Sequence, residues 1–324
     1  MKIYPSKTLL VLVSLLGGPN IGLAEHAIFA TTPELVLRSG AGEGPAWHPT
    51  LGLLTSGDGN INRFDLAQQT SVFRKNAGSN GLLFDRVGRL IVCENRNRRI
   101  TRVNQNGSIT VLANSYKGCK FNQPNDLTMD SKDRIYFSDP QYGARTEMEM
   151  RDLDGKYVEG VYRIDPDGTV ARIITHQVDR PNGLIITQDD RYLFVADNNN
   201  SSGGSRKLWR FSMNADGTVK PKTQTLIHDW GTTRGPDGMK LDQEGRLYVA
   251  AGLNRPNLPQ ETAVQPTAGI YVFSPGGKLL TFAPIPRDET TNCAFGGTDG
   301  KTLFVTAGGT LWKIRTACPG LRLP

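Results

Sequence analysis

Six positions in this chain carry a carboxylate or a carboxamide at the head of one recurring phrase: Glu43, Asn80, Asn125, Asn182, Asp237 and Asn292. Their side-chain oxygens are the donors that hard divalent cations take. Glu43 and Asp237 supply two negative charges, enough to neutralise one such ion, and the amides of Asn125 and Asn182 add ligands without adding repulsion. The set favours one divalent metal ion, Ca²⁺ first, with Mg²⁺, Mn²⁺ or Zn²⁺ as alternatives, and differs from a dedicated zinc site of His and Cys. His26, His48, His176 and His228 are scattered without ligand spacing and read as surface or loop residues. A lone Asn-Gly or Asp-Gly pair is more often a turn. Six heads in phase are different, because turn chemistry has no use for Glu43. Pro45, Pro181 and Pro236 lie near three of the heads and stiffen the backbone that presents them.

Symmetry is what must bring the heads together. The phrases read EGPAWHPTLGLLTSG, NGLLFDRVGRLIVCE, NDLTMDSKDRIYFSD, NGLIITQDDRYLFVAD, DGMKLDQEGRLYVAA and NCAFGGTDGKTLFVTA. Each is a short apolar strand, a polar turn and a β-rich strand. Head-to-head spacings of 37, 45, 57, 55 and 55 residues indicate an all-β, six-bladed propeller with the heads at one mouth of its channel. In blades one to five a second pair of candidate strands follows, with turn pairs such as Asn106-Gly107, Asp167-Gly168 and Asp216-Gly217 that reach positive φ cheaply. Four strands per blade result. Blade six has only Thr310–Arg315 before a proline-containing tail, so Pro33–Ser39 is expected to supply its outer strand and close the ring. Two connections are too long for turns, Pro140–Glu159 in blade three and Gly252–Ala268 in blade five. Both should overhang the heads.

At 324 residues with 21% charged residues and no low-complexity tract, the composition is that of a globular β protein. Residues 25–324 read as one propeller domain. Residues 1–24 read as a secretory signal peptide: Lys2 and Lys7 precede the apolar run Leu9–Leu16, and Gly22-Leu23-Ala24 fits cleavage after Ala24. The protein is therefore expected to be periplasmic or secreted, with no membrane association. Removing Lys2 and Lys7 takes the formal charge from +7 to +5. The cluster Arg96, Arg98, Arg99 and Arg102 has no aromatic interleaving and reads as a solvated surface, not a nucleic-acid face. A monomer or weak oligomer is expected. Cys93, Cys119, Cys293 and Cys318 permit up to two disulfides, but buried free thiols fit the apolar strand segments at Cys93 and Cys293 equally well.

The phrases EGPAW (43–47), CENRNRRITR (93–102), FNQPNDL (121–127), YFSDPQYG (136–143), RPNGL (180–184), GPDGM (235–239) and NCAFGG (292–297) resemble the senescence-marker-protein/gluconolactonase family, which includes luciferin-regenerating enzymes. The matches run in order over nearly all of the chain after the leader. That resemblance implies a propeller with a divalent metal in the channel, held by Glu43, Asn182 and Asp237. It makes Asp237 the general base and places Asn125 beside the metal as a catalytic neighbour. Asn80, Asn125, Gln123 and Tyr142 are read as substrate-facing, and Asn292 as a supporting or substrate-facing residue. The reaction implied is hydrolysis of small, sugar-type lactones. The ion polarises the ring carbonyl and activates water, Asp237 accepts a proton, and Asn125 helps hold the oxyanion. Two departures bear on the substrate: Asn95 stands where many family members carry His, and Gln123 where some carry Arg.

Two other readings stay open at this level. Similar propellers use this kind of ring to attack phosphorus esters, which would make the protein a metal-dependent phosphotriesterase or esterase. A non-catalytic binding propeller plugged by the ion is the third. No Gly-x-Ser-x-Gly phrase points to a serine hydrolase, and Gly40-Ala41-Gly42 meets Pro45 where a dinucleotide fingerprint needs its third glycine.

Overall fold

The structure is a computed structural model that describes residues 27–321; the expected leader over residues 1–24, and His26, lie outside the described residues. The first hairpin of blades two, three and five is held at its turn by an aspartate. Asp85 Oδ1 accepts the backbone N–H groups of Val87 and Arg89 at 3.1 and 2.8 Å, and Oδ2 takes the Arg89 guanidinium at 2.7 Å. Asp130 does the same with Lys132 and Arg134, and Asp242 with Glu244 and Arg246. The carboxylate stands in for a stretch of backbone and pins the arginine across the turn. Asp130 and Asp242 also accept the Tyr136 and Tyr248 hydroxyls at 2.9 and 3.1 Å, which ties each turn to the second strand.

A second hairpin joins each first one, giving six four-stranded antiparallel blades arranged as a propeller. Blade one runs Glu43–His48, Gly52–Gly57, Asn60–Phe64 and Thr70–Arg74. Blades two to five start at Leu82–Phe84, Leu127–Met129, Pro181–Ile186 and Pro236–Leu241. Blade six starts at Thr290–Gly296 and draws its outer strand from the other end of the chain. There Glu34–Leu37 pairs antiparallel with Thr310–Arg315, with Leu35 opposite Trp312. The closure expected from Pro33–Ser39 is present. A small hairpin between blades two and three, Ser115–Tyr116 with Cys119–Lys120, was not expected. Lys117 and Gly118, both at positive φ, make its turn.

The core is divided, not central. Six buried apolar clusters lie one at each blade–blade interface. Second strands are covered on both faces, so Leu90–Glu94, Ile135–Asp139, Leu247–Ala251 and Thr302–Ala307 are buried throughout. Outer strands such as Thr70–Arg74 and Thr225–Asp229 are mostly solvated. The first strands are left to line the channel. All four cysteines are free thiols. Burial pushes Cys93 up and Cys293 to about 12, so both act as small apolar fillers.

Val36 and Leu37 of the closing strand pack on the cluster that joins blades six and one. A chain starting at Gly40 should therefore unfold at a lower temperature than one starting at Glu25, and scatter light as its concentration rises. Equal melting curves would show that the closing strand contributes nothing.

Candidate active site

In four blades the residue after the head is glycine, and the next blade's head occupies the space a side chain would need. A Cβ on Gly44 would lie 2.1 Å from the Asn80 carbonyl oxygen, and one on Gly81 2.5 Å from that of Asn125. On Gly183 it would lie 2.0 Å from the Asp237 carbonyl oxygen, and on Gly238 1.9 Å from the Asn292 amide carbon. Gly81 N–H also donates to the Asn125 carbonyl at 2.7 Å, and Ser56 Oγ to that of Asn80 at 2.6 Å. Blades three and six depart from the pattern, with Asp126 and Cys293 in the glycine position. Asp126 Oδ1 accepts its neighbour Leu127 N–H at 2.8 Å, while Oδ2 accepts Asn292 Nδ2 at 3.2 Å. The same Nδ2 donates to Glu43 Oε2 at 3.1 Å, and Asn292 Oδ1 accepts the Cys293 N–H. Blades three and six face each other across the channel. This link therefore spans the axis and forms a floor beneath the ring.

The electrostatics are those of a site short of positive charge. Glu43 is half-buried, and burial, followed by the nearby Asp126 carboxylate, raises its pKa to about 7. Hydrogen bonds from Gly44 N–H, at 2.6 Å, and Asn292 oppose the rise. Asp237 is pushed well up by burial, then by Glu43, Glu289 and Asp126, with Arg234 opposing. Arg234 is itself engaged, forked onto Glu261 at 2.7 and 2.8 Å and paired with Glu289. Asn182 Nδ2 donates to Tyr142 Oη at 2.8 Å, and its Oδ1 is buried without a hydrogen-bond partner. Asn80 Oδ1 is in the same condition. Each such orphan costs about 1–3 kcal/mol, which a cation at the ring would recover. Among the described residues no group of three or more His, Cys, Asp and Glu forms a metal cluster. The donors are mixed instead: two carboxylates, Glu43 and Asp237, with the unpartnered Asn182 oxygen. That set fits a hard divalent ion.

Both long connections come to this mouth. Tyr142, from the first, receives Asn182 at its hydroxyl, donates to Asn198 Oδ1 at 3.3 Å and lies 5.3 Å from the Arg180 guanidinium. Its N–H donates to Gln123 Oε1 at 2.9 Å, and Asn95 Nδ2 donates to the Gln123 carbonyl at 3.3 Å. Gln123 thus holds the overhanging loop through its side-chain oxygen. Arg180 and Arg145 both pair with Glu159 at that loop's end. The second connection is fastened by Glu261 to Arg234, three residues before Asp237. Asn125, 5% exposed, completes the wall. His48 packs on Phe84, His176 pairs with Asp152 at 2.8 Å and His228 packs on Trp230, all outside this group. Asp126 is the residue that periodicity did not single out. Its signal was available: it is the one acidic residue in a position that is glycine in four of the six phrases.

Known proteins share this architecture. The chain matches the SMP-30/gluconolactonase/LRE-like region over residues 41–309. It is 32% identical over 248 residues to a gluconolactonase of Zymomonas mobilis subsp. mobilis, in an alignment covering 74% of this chain and 63% of that one. The chain thus spans less than two thirds of that relative's length. A solved gluconolactonase from Xanthomonas campestris is 27% identical, with a TM-score of 0.71 over 88% of this chain and 89% of that one. Regucalcin from Agrobacterium tumefaciens, a calcium-binding protein, shares the fold at 16% identity, with a TM-score of 0.67 over 90% of this chain and 94% of that one. The matched region takes in all six heads and both overhanging connections, and the chain belongs to the SMP-30/gluconolactonase/LRE-like family.

Proposed function

We propose that this protein is an exported lactonase that opens small, sugar-type lactones with one divalent metal ion, Ca²⁺ first. The observation that carries the reading is the convergence of desolvated carboxylates and unpartnered amide oxygens at one channel mouth. The gluconolactonase relatives support the substrate class, and the basic, apolar and small-residue succession of residues 1–24 supports export. Glu43, Asn182 and Asp237 would hold the ion, which supplies Lewis-acid polarisation and a lowered pKa of water when bound.

The chain's own residues do the rest. Asp237 accepts a proton as the water oxygen bonds to the lactone carbonyl carbon. The ring C–O bond then breaks, and Asp237 returns that proton to the departing ring oxygen, leaving a hydroxy acid. The Asn125 amide donates to the carbonyl oxygen as charge develops there. Asn80 Oδ1, which has no hydrogen-bond partner among the described residues, accepts from a substrate hydroxyl. Tyr142, fixed by Asn182 and Asn198, closes over the lactone and keeps bulk water out.

Four outcomes test this reading. Asp237→Asn should lower kcat/KM on a lactone panel by about 10²–10⁴ without lowering the thermal midpoint, since it removes a buried charge. Chelation with EDTA should abolish turnover and a divalent ion restore it. Response of a phosphotriester panel with silence on lactones would favour the esterase reading, and metal binding with both panels silent the binding propeller. Asp126→Asn should weaken Ca²⁺ binding, measured by calorimetry, by about 10–100-fold, because it loosens the Asn292 amide that orients Glu43. An unchanged affinity would remove Asp126 from the site. The last outcome concerns pH. The folded-state pKa of Glu43, about 7, lies above its ordinary 4.5, so between these values the folded, metal-free chain binds more protons than the unfolded one. Stability should therefore fall as pH rises through that window. Asp237, Asp139 and Asp197 are shifted the same way, while His48 and His228, lowered by burial, act oppositely, so the comparison is with Glu43→Gln. The metal-free parent should lose more thermal midpoint than Glu43→Gln between pH 5 and pH 7.5, by differential scanning fluorimetry in EDTA, an order-of-magnitude window set by the shift. Parallel curves would contradict the electrostatics described.

A further inference from the structure

A second cavity lies away from the ring. It encloses about 760 Å³ at the other end of the channel, where the innermost strands finish. Trp47, Phe84, Met129, Ile186 and Phe295 bring apolar walls from five blades, and Lys240 enters from blade five. Other charges on its rim are already matched: Asp85 with Arg89, and Arg86 with Asp133. Lys240 is not. Among the described residues Lys207 and Lys313 form ion pairs, but the Lys240 ammonium meets only the neighbouring Met239 carbonyl, at 3.1 Å. It stands at the inner end of the cavity, where its charge reaches Glu43 and Cys293 and opposes the rise that burial causes at both. Above it, the Asp126–Asn292 link crosses the channel.

We propose that this cavity is a second ligand site, for an amphiphilic carboxylate: a small acid with an apolar chain or ring. Its head pairs with Lys240, and its body lies against Trp47, Phe84 and Phe295. The complementarity is specific. The inner end offers one unmatched cation, the walls offer apolar surface, and the volume falls within the ~300–1,000 Å³ of small-molecule sites. A cationic amphiphile would face like charge, and a neutral one would leave the ammonium unmatched. The Asp126–Asn292 link lies between this cavity and the ring, so the inference stands apart from the lactone reading, and its test reads binding, not turnover.

Decanoate, decanol and decyltrimethylammonium, each below its micelle concentration, are titrated into the full chain by calorimetry. Decanoate should bind once per chain and at least about tenfold more tightly than the other two, the worth of a charge-assisted contact. Lys240→Met should weaken decanoate by a similar factor, Lys240→Arg should keep it, and both should melt cooperatively near the parent's thermal midpoint, which shows that they fold. Met129→Trp, which fills the cavity without touching the charge, should also weaken it. No binding by the parent, equal binding by Lys240→Met, or equal affinity for the cationic amphiphile overturns the proposal. So does a chain ending at Leu321 that binds decanoate tenfold more tightly than the full chain, because residues 322–324 would then be the cavity's occupant.

Discussion

The ring depends on one steric fact: four backbone positions carry no side chain where the next blade's head must pass. At Gly44, Gly81, Gly183 and Gly238 even a methyl group would overlap the neighbouring head, at 1.9–2.5 Å. Protein interiors do not absorb such overlap locally, so a larger residue there would push blades apart. The same glycines let the first strands converge on the channel axis while the apolar clusters between blades stay packed. Blade packing supplies the stability, and the glycine approaches aim the heads.

That convergence has an electrostatic consequence. Burial in one desolvated mouth raises the pKa of Glu43 and of Asp237, with Asp126 adding to it at the first and Glu43 at the second, and buried amide oxygens go unpartnered at Asn80 and Asn182. A purely structural ring would not keep these groups. The turn aspartates of the same repeats show the contrast: Asp85, Asp130 and Asp242 are each matched by an arginine and two backbone N–H groups. At those turns the carboxylates meet arginines, whereas at the ring Glu43 meets only uncharged donors, the Gly44 N–H and the Asn292 amide. Asn292 moderates the conflict, with one amide nitrogen shared between Glu43 and Asp126.

Much of this was legible in the chain itself. Six phrases in phase implied six blades, and the orphan segment before the first phrase implied the closing strand, because blade six lacked a fourth. The overhang of Pro140–Glu159 and Gly252–Ala268 followed from their place between second and third strands. What stayed hidden depended on contacts between distant blades. Asp126 follows a head residue and declares no role by itself; its role comes from lying 3.2 Å from Asn292, 166 residues away. Gln123 and Tyr142 read as free substrate contacts, yet each spends polar atoms fixing the overhang. The Ser115–Lys120 hairpin escaped because two-residue strands leave no periodicity. Lys240 escaped because a lone lysine in an apolar strand announces nothing until its neighbours are known.

The central claim is that Glu43, Asn182 and Asp237 surround one divalent cation. Anomalous diffraction from crystals soaked in Mn²⁺ tests it most directly, since that ion scatters anomalously and takes the same oxygen donors. The account predicts one strong anomalous peak per chain, bounded by those three side chains, and its loss in crystals of Glu43→Gln. A peak elsewhere in the chain, or none in crystals whose dissolved protein hydrolyses lactones in Mn²⁺, would contradict it.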